Sequence, residues 1–536
     1  MDGIRREKNV ECVPHKILLR FTDYRENDVK KKTENKPAPH DSPKFSRRRM
    51  LQGAGGALAI AALPAERLAA AAALPSFQDS SKPSTAPVTD FTGELARYMA
   101  GARDRALPPS VALEAKHHIL DTLGAMISGS RLKPGEMAIA YARAQGGAPE
   151  ASLVGTSVKT SAVNAALANG MCAHADETDD VELVTKTHPG CSSVAAALAM
   201  AEREGRSGTD LLRAVVLGYD VCCRFLMALS PDLVRGTHHS AEGFGATFSA
   251  VGAAASLARL DETGMRYALS YAAQQVSGLW SWTSDNDHIE KAFDFSGMGA
   301  RNGVTAATMV QAGFTGVRNV FDCEHNVFQA LTTQPQPAEL VAELGSRYWV
   351  AETSIKTYSV GYPIQSAVDA FLTLRRENSL TVDNVQRVVV RLPADGAGIV
   401  DNSSMPDVNL QYIVAVALID GGVSFAASHS RERMTDAQIH AVKERVQLVA
   451  DRKLMDPAAP RSGLVEVTLK DGRTVQHFTK FPPGTKENPV STEALNAKVR
   501  DLIAPVLGPV RAAKLIERVN NFEDVRDVRD LRPLFT

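Results

Sequence analysis

Residues 188–205 read "HPGCSSVAAALAMAEREG", a run that carries the marks of a helix at both ends. Pro189 occupies the first helical position, where its missing N–H is no loss. Gly205 falls just past the end, where a residue of left-handed backbone closes a helix. Alanine dominates between them, and alanine loses least on entering a helix. Moving outward, "SAVNAALANG" (161–170) is a second apolar helix. In "LPPSVALEAKHHILDTLGAMISGS" (107–130), Pro109 and Ser110 stand near a helix start, and Ile119, Leu120, Leu123, Met126 and Ile127 fall on one face. "FGATFSAVGAAASLARL" (244–260) is a helix whose small residues permit close backbone approach. The pattern persists to about residue 350, and it predicts a mainly α fold with a large all-α helical domain over 88–353.

The pattern then changes. "VQRVVVRLP" (385–393) is β-branched and strand-like, and "GLVEVTLKDGRTVQHFT" (463–479) sets Asp471-Gly472 between alternating segments, the signature of a hairpin. A smaller α+β module is therefore expected over 354–482. "NPVSTEALNAKVRDLIAPVLG" (488–508) returns to helix, so residues 483–536 are expected to pack back on the first domain.

The first part of the chain differs from the rest. "SRRRMLQGAGGALAIAALPAERLAAAAA" (46–73) places arginines, a short apolar stretch and small residues in the order of a twin-arginine export signal. Residues 1–74 are read as a leader directing the protein to the periplasm, or leaving it in the cytoplasm if unused. The run "PSFQDSSKPSTAP" (75–87) is read as a linker. Beyond the leader no apolar run approaches a bilayer span, so stable membrane insertion is not expected. The net charge of -1 across 536 residues offers no global field for nucleic acid. The six cysteines match neither a disulfide framework nor a zinc pattern.

Chemistry gathers at "NGMCAHADETDD" (169–180), just ahead of the helix quoted first. His188 precedes that helix, and His239, in "RGTHHSAEGFGATFSA" (235–250), precedes another. Helix N-termini favour anions, and a histidine there can move a proton beside a bound carboxylate. His238 is adjacent and can exchange roles with His239. Lys291 and Lys356 stand in segments with few other cations and are candidate partners for substrate carboxylates. The expected catalytic set is His188, His239, Lys291, Lys356, Glu177 and Asp180. The expected substrate-binding set is His174, Asp179, His238 and Tyr358. His117 and His118 read as surface or packing residues, and Trp280 and Trp282 as hydrophobic packing or a pocket wall. Two other classes stay open: a metal hydrolase using His174, Asp176, His188 and His239, though no HExxH spacing is present, and a binding protein that captures polycarboxylates without turnover.

Several segments together resemble the MmgE/PrpD family, which includes 2-methylcitrate dehydratase and cis-aconitate decarboxylase. They are "LARYMAGARDRALPPSVALEAKHHILDTLGAMISGS", "NGMCAHADETDD", "THPG", "HSAEGFGATFSAVGAAA", "KTYSVGYPIQSAVDA" and "NPVSTEALNAKVRDLIAPVLG", in family order. The resemblance implies a helical domain interrupted by a smaller α+β lid domain, a homodimer, and no required metal or organic cofactor. It implies a lyase that dehydrates or decarboxylates a small di- or tricarboxylic acid, with epimerisation or isomerisation of a carboxylate as the alternative. The family's Asp-Phe-Asp-Asp-Thr falls on Glu177, Thr178, Asp179, Asp180 and Val181, so the first Asp is a Glu here and the Thr hydroxyl is absent. The family's site histidines fall on His188 and His239, and its lysines on Lys291 and Lys356. A further histidine carried by the decarboxylase falls on Gly361.

Overall fold

Small residues let the central helices lie almost backbone to backbone. In a computed structural model that describes residues 89–536, nine main helices build the first part of the fold. They are α1 (Phe91–Ala102), α2 (Pro109–Gly129), α3 (Lys133–Gln145), α4 (Ala162–Ala173), α5 (Pro189–Glu204), α6 (Gly208–Leu229), α7 (Ala241–Leu257), α8 (Glu262–Gln275) and α9 (Met298–Gln311). Helix α7 is buried along its whole length and packs against α5, α6 and α9. Gly299 and Gly303 of α9 explain the closeness. A Cβ on Gly299 would lie 2.4 Å from Ala246 Cβ, and one on Gly303 would lie 2.4 Å from the Val251 nitrogen. The helix quoted first has the expected ends, with Pro189 opening α5 and Gly205 closing it at φ 62°. The expected leader and linker fall outside the described residues.

Two apolar cores divide the structure. One joins these helices to the C-terminal α12 (Thr492–Leu507) and α13 (Pro509–Asn520), which pack against α2. Gly124 of α2 leaves room for Leu502 and Val499. The other core lies within 360–475. It contains α10 (Gln365–Asn378), α11 (Leu410–Asp420) and a four-stranded sheet of β1 (Val385–Pro393), β2 (Val446–Asp451), β3 (Gly463–Leu469) and β4 (Thr474–Thr479). The spatial order is β2-β1-β3-β4, with β1 and β2 parallel and the other pairs antiparallel. The β3–β4 hairpin turns at Asp471-Gly472, where Gly472 takes φ 89°, a conformation glycine adopts without strain. Strand β3 alternates, burying Val465, Val467 and Leu469 on one face. The sequence reading misses β2, whose burial is patchy rather than alternating.

A buried charge ties the two cores together. His429 Nε2 lies 2.9 Å from Asp176 Oδ2, and its Nδ1 lies 2.8 Å from the Phe425 carbonyl. A carbonyl only accepts, so Nδ1 carries a proton, and the carboxylate favours a second proton on Nε2. Burial opposes that charge, but Asp176 outweighs it and lifts the His429 pKa to about 9. A raised pKa contributes stability that is full below the ordinary histidine range and is lost as pH rises through about 9. His429→Gln is therefore expected to lower stability by up to roughly 3 kcal/mol at pH 7. The difference from wild type should shrink by pH 10, as read from urea midpoints at the two pH values.

Candidate active site

Helix α4 ends at Ala173 with His174 as its C-cap, and the chain then runs through the acidic stretch to the start of α5. Residues 171–182 are all buried. Buried carboxylates must be paired, and each of these is. Asp180 accepts from Gly190 N (3.1 Å) at the start of α5, from the Tyr219 hydroxyl, and from His118 Nδ1 (2.7 Å). Asp179 accepts from His174 Nδ1 (2.9 Å) and faces His188 Nδ1 at 3.2 Å, an approach too bent for a linear hydrogen bond. Glu177 receives the ammonium of Lys291 and stands 3.3 Å from Lys356 Nζ, which is itself 3.6 Å from Asp179.

This network borders a cavity of about 430 Å³ between the two cores. Glu177, His188, His238, Lys291, Trp282 and Gly361 are among its walls. Pro189 and the helix geometry fix His188 as the N-cap of α5, at the positive end of that helix's dipole. Its Nδ1 is turned to Asp179, and Nε2 has no protein partner among the described residues. Lys291 lies on the short helix Ile289–Ala292, whose start is held by Asp285 accepting from Lys291 N (3.0 Å). Its ammonium sits 5.2 Å from the Trp282 ring centre and 5.1 Å from that of Phe295. Phe295 belongs to a widened π turn, Phe293–Gly297, of the kind often found at functional sites.

The charges reinforce one another. Burial opposes ionisation of Glu177, but Lys291 and then Lys356 outweigh it and hold its pKa well below the usual range. Burial likewise opposes Asp179, and His174, His188 and Lys356 outweigh it. Lys356 is fully buried, yet Glu177 and Asp179 keep its pKa above the ordinary lysine value. Burial holds the His174 pKa down, and burial followed by Lys291 holds that of His288 well below the histidine range.

Of the residues expected from sequence, Glu177, His188, His238 and Lys291 line the cavity. His174, Asp179 and Lys356 stand behind them. Lys356 is buried against Glu177 and Asp179 and is not among the cavity walls. Three further residues of the expected sets lie away from the cavity walls. His239 is not a cavity wall: its Nδ1 bonds Thr237 Oγ1 (2.8 Å) and its ring faces Phe244, while His238 takes the wall position at φ 64°. Asp180 is spent on α5, Tyr219 and His118. Tyr358 lies in a separate pocket with Thr357, Phe425 and Lys498, where burial pushes its pKa up to about 12. His117 and His118 are both buried, the packing half of their expected reading. Trp280 and Trp282 are cavity walls.

Sequence reasoning missed His288, Tyr362 and Arg461. His288 is buried with neither ring nitrogen bonded, 5.2 Å from the His174 ring. Tyr362 lines the cavity, and burial lifts its pKa to about 12. Its position directly after Gly361 was the one available signal. Among the described residues, two sets place ligand atoms within 4.8 Å of one another: His174, Asp179 and Cys191; and His174, Glu177 and His288. Neither suits a dication well. Glu177 already carries two ammonium groups, and the Cys191 thiol donates to the His188 carbonyl at 3.0 Å. The four residues of the metal-hydrolase reading do not converge, because Asp176 faces His429 and His239 faces Thr237.

The arrangement can take a proton at His188, hold an anion at Lys291 and fix both against buried carboxylates. Comparison with known proteins identifies the family. Residues 93–340 match the MmgE/PrpD N-terminal domain and residues 358–524 the MmgE/PrpD C-terminal domain. A cis-aconitate decarboxylase-like protein of Aspergillus oryzae is 24% identical over 480 residues, covering 84% of this chain and 98% of its own. A cis-aconitate decarboxylase of Aspergillus terreus is 24% identical over 471 residues, covering 83% and 95%. A 2-methylcitrate dehydratase-like protein of Aspergillus oryzae is 24% identical over 236 residues, covering 40% and 47%. With both domains matched in order, the chain belongs to the MmgE/PrpD family.

Proposed function

We propose that this protein is a lyase acting on a small di- or tricarboxylic acid, removing water or carbon dioxide beside a carboxylate. The observation that carries the reading is the shared cavity of His188 and Lys291, with Glu177 bound to the lysine and Asp179 behind the histidine. Breaking a C–H or C–CO2 bond next to a carboxylate drives an electron pair toward that carboxylate. Lys291 stabilises the developing charge. His188 exchanges the proton through the nitrogen not turned to Asp179. The names of the relatives support this class of acid.

A second reading, epimerisation or isomerisation of a carboxylate, has its own support. Val181 and Gly361 line the cavity where the family pattern carries a hydroxyl and an imidazole. A site lacking those groups can still remove and return a proton without expelling a leaving group. Incubating the protein with a panel of di- and tricarboxylic acids in deuterated water separates the readings. A product lighter by water or carbon dioxide is the expected result. Deuterium uptake with no such loss establishes the isomerase, and binding without change of any acid overturns both in favour of a capture protein.

The proposal includes the homodimer and twin-arginine export of the leader. Sedimentation of the purified chain and N-terminal sequencing of periplasmic protein test them. A monomer, or a chain retained whole in the cytoplasm, contradicts them.

A further inference from the structure

The same cavity has a second group of cations that the chemistry above leaves unused. Lys186, Arg235 and Arg461 all line it. They come from the loop before α5, the short helix Pro231–Gly236 and the loop before β3. Arg461 meets both oxygens of Asp395 through one terminal nitrogen at 3.0 Å, and its other terminal nitrogen and Nε have no protein partner among the described residues. Lys186 Nζ stands 3.9 Å from the same Asp395, too far for a hydrogen bond, on a backbone at φ 58°. Arg235 donates to Glu242 at 2.7 Å, and its Nε is buried without a partner. Asp395, Glu242 and the nearby Asp232 offset the three charges, while the unpartnered nitrogens of Arg461 and Arg235 remain as donors for a carboxylate. Burial and then Arg235 and Arg461 hold the Lys186 pKa below the ordinary lysine value, the mark of an ammonium crowded by like charge.

Two tryptophans relate this group to the reacting end. Trp280 and Trp282 have ring centres 5.3 Å apart. Arg235 lies over Trp280 (5.4 Å) and Lys291 over Trp282 (5.2 Å), so each ring carries one cation. Gly361 keeps the space open, since a Cβ there would meet nothing nearer than 3.8 Å. We propose that Lys186, Arg235 and Arg461 form a second anion subsite, which holds a carboxylate remote from the reacting one. The substrate is then an acid with two separated carboxylates. Placing the reacting carboxylate at Lys291 rests on the function proposed above; the second subsite stands on its own geometry.

Calorimetric titration of the full chain tests this, with glutarate, adipate and pimelate set against pentanoate, hexanoate and heptanoate. At least one diacid is expected to bind about tenfold more tightly than the monoacid of equal length. The double variant Lys186→Met with Arg461→Met should remove most of that advantage and leave monoacid binding unchanged. Arg461→Gln alone, checked by circular dichroism, gives a smaller loss in the same direction should the double variant fail to fold. Equal loss for diacid and monoacid, an unchanged diacid affinity, or no diacid preference in wild type overturns the subsite. Lys291→Met should weaken both series. If it weakens neither while the double variant loses only diacid binding, the subsite stands and the function proposed above falls.

Discussion

Lys291→Met is expected to lower turnover about a hundred- to a thousand-fold while the protein stays folded. Lys291 reaches the cavity with 16% of its side chain exposed, and its ammonium meets Glu177. Removing one preorganised group that stabilises developing charge has an effect of about this size. Methionine keeps the length and the contact with the Trp282 and Phe295 rings but carries no charge. The fold should persist because Glu177 keeps Lys356 as a partner. Single-turnover rates on whichever acid wild type converts, together with thermal melting, check both halves. Turnover near the wild-type rate would remove Lys291 from the chemistry.

Lys356→Met should instead act on stability. Its side chain is fully buried, and among the described residues it is the one with ion-pair contacts to both Glu177 and Asp179. Breaking a buried pair by removing one partner strands the other charge and costs about 3–5 kcal/mol. In wild type, Glu177 and Asp179 hold depressed pKa values, so their contribution is present above the ordinary carboxylate range and is lost as pH falls below it. Lys356→Met removes part of that depression, so acid unfolding should begin at a higher pH. Adding Glu177→Gln to the variant should restore part of the loss. Denaturant midpoints across pH for the three proteins check this, and an unchanged midpoint in Lys356→Met would contradict the pairing.

The sequence reading follows the geometry where the signal is local. Pro189 and Gly205 mark the ends of α5, and Asp471-Gly472 marks the hairpin, because each residue fixes its own backbone. His188 was legible for the same reason, standing one residue before that proline. The choice between His238 and His239 was not. The chain turns through left-handed backbone at His238, and no neighbouring residue announces which ring that turn sends to the cavity. The acidic run hid its division of labour, since an irregular segment has no period to sort faces. There Glu177 faces the lysines, Asp179 the histidines, and Asp180 the start of α5. Asp176 and His429 are far apart in the chain, and pairs of that kind leave no mark in one sequence. The same holds for Lys186 and Arg461, both of which face Asp395 from distant points in the chain.

The central claim is that a carboxylic acid sits between the His188 imidazole and the Lys291 ammonium. A crystal structure of the protein soaked with an acid it binds tests this directly. The predicted result is one carboxylate within hydrogen-bond distance of Lys291 Nζ, with the adjacent carbon facing His188. An acid bound elsewhere on the molecule, with this cavity holding only water, would contradict it.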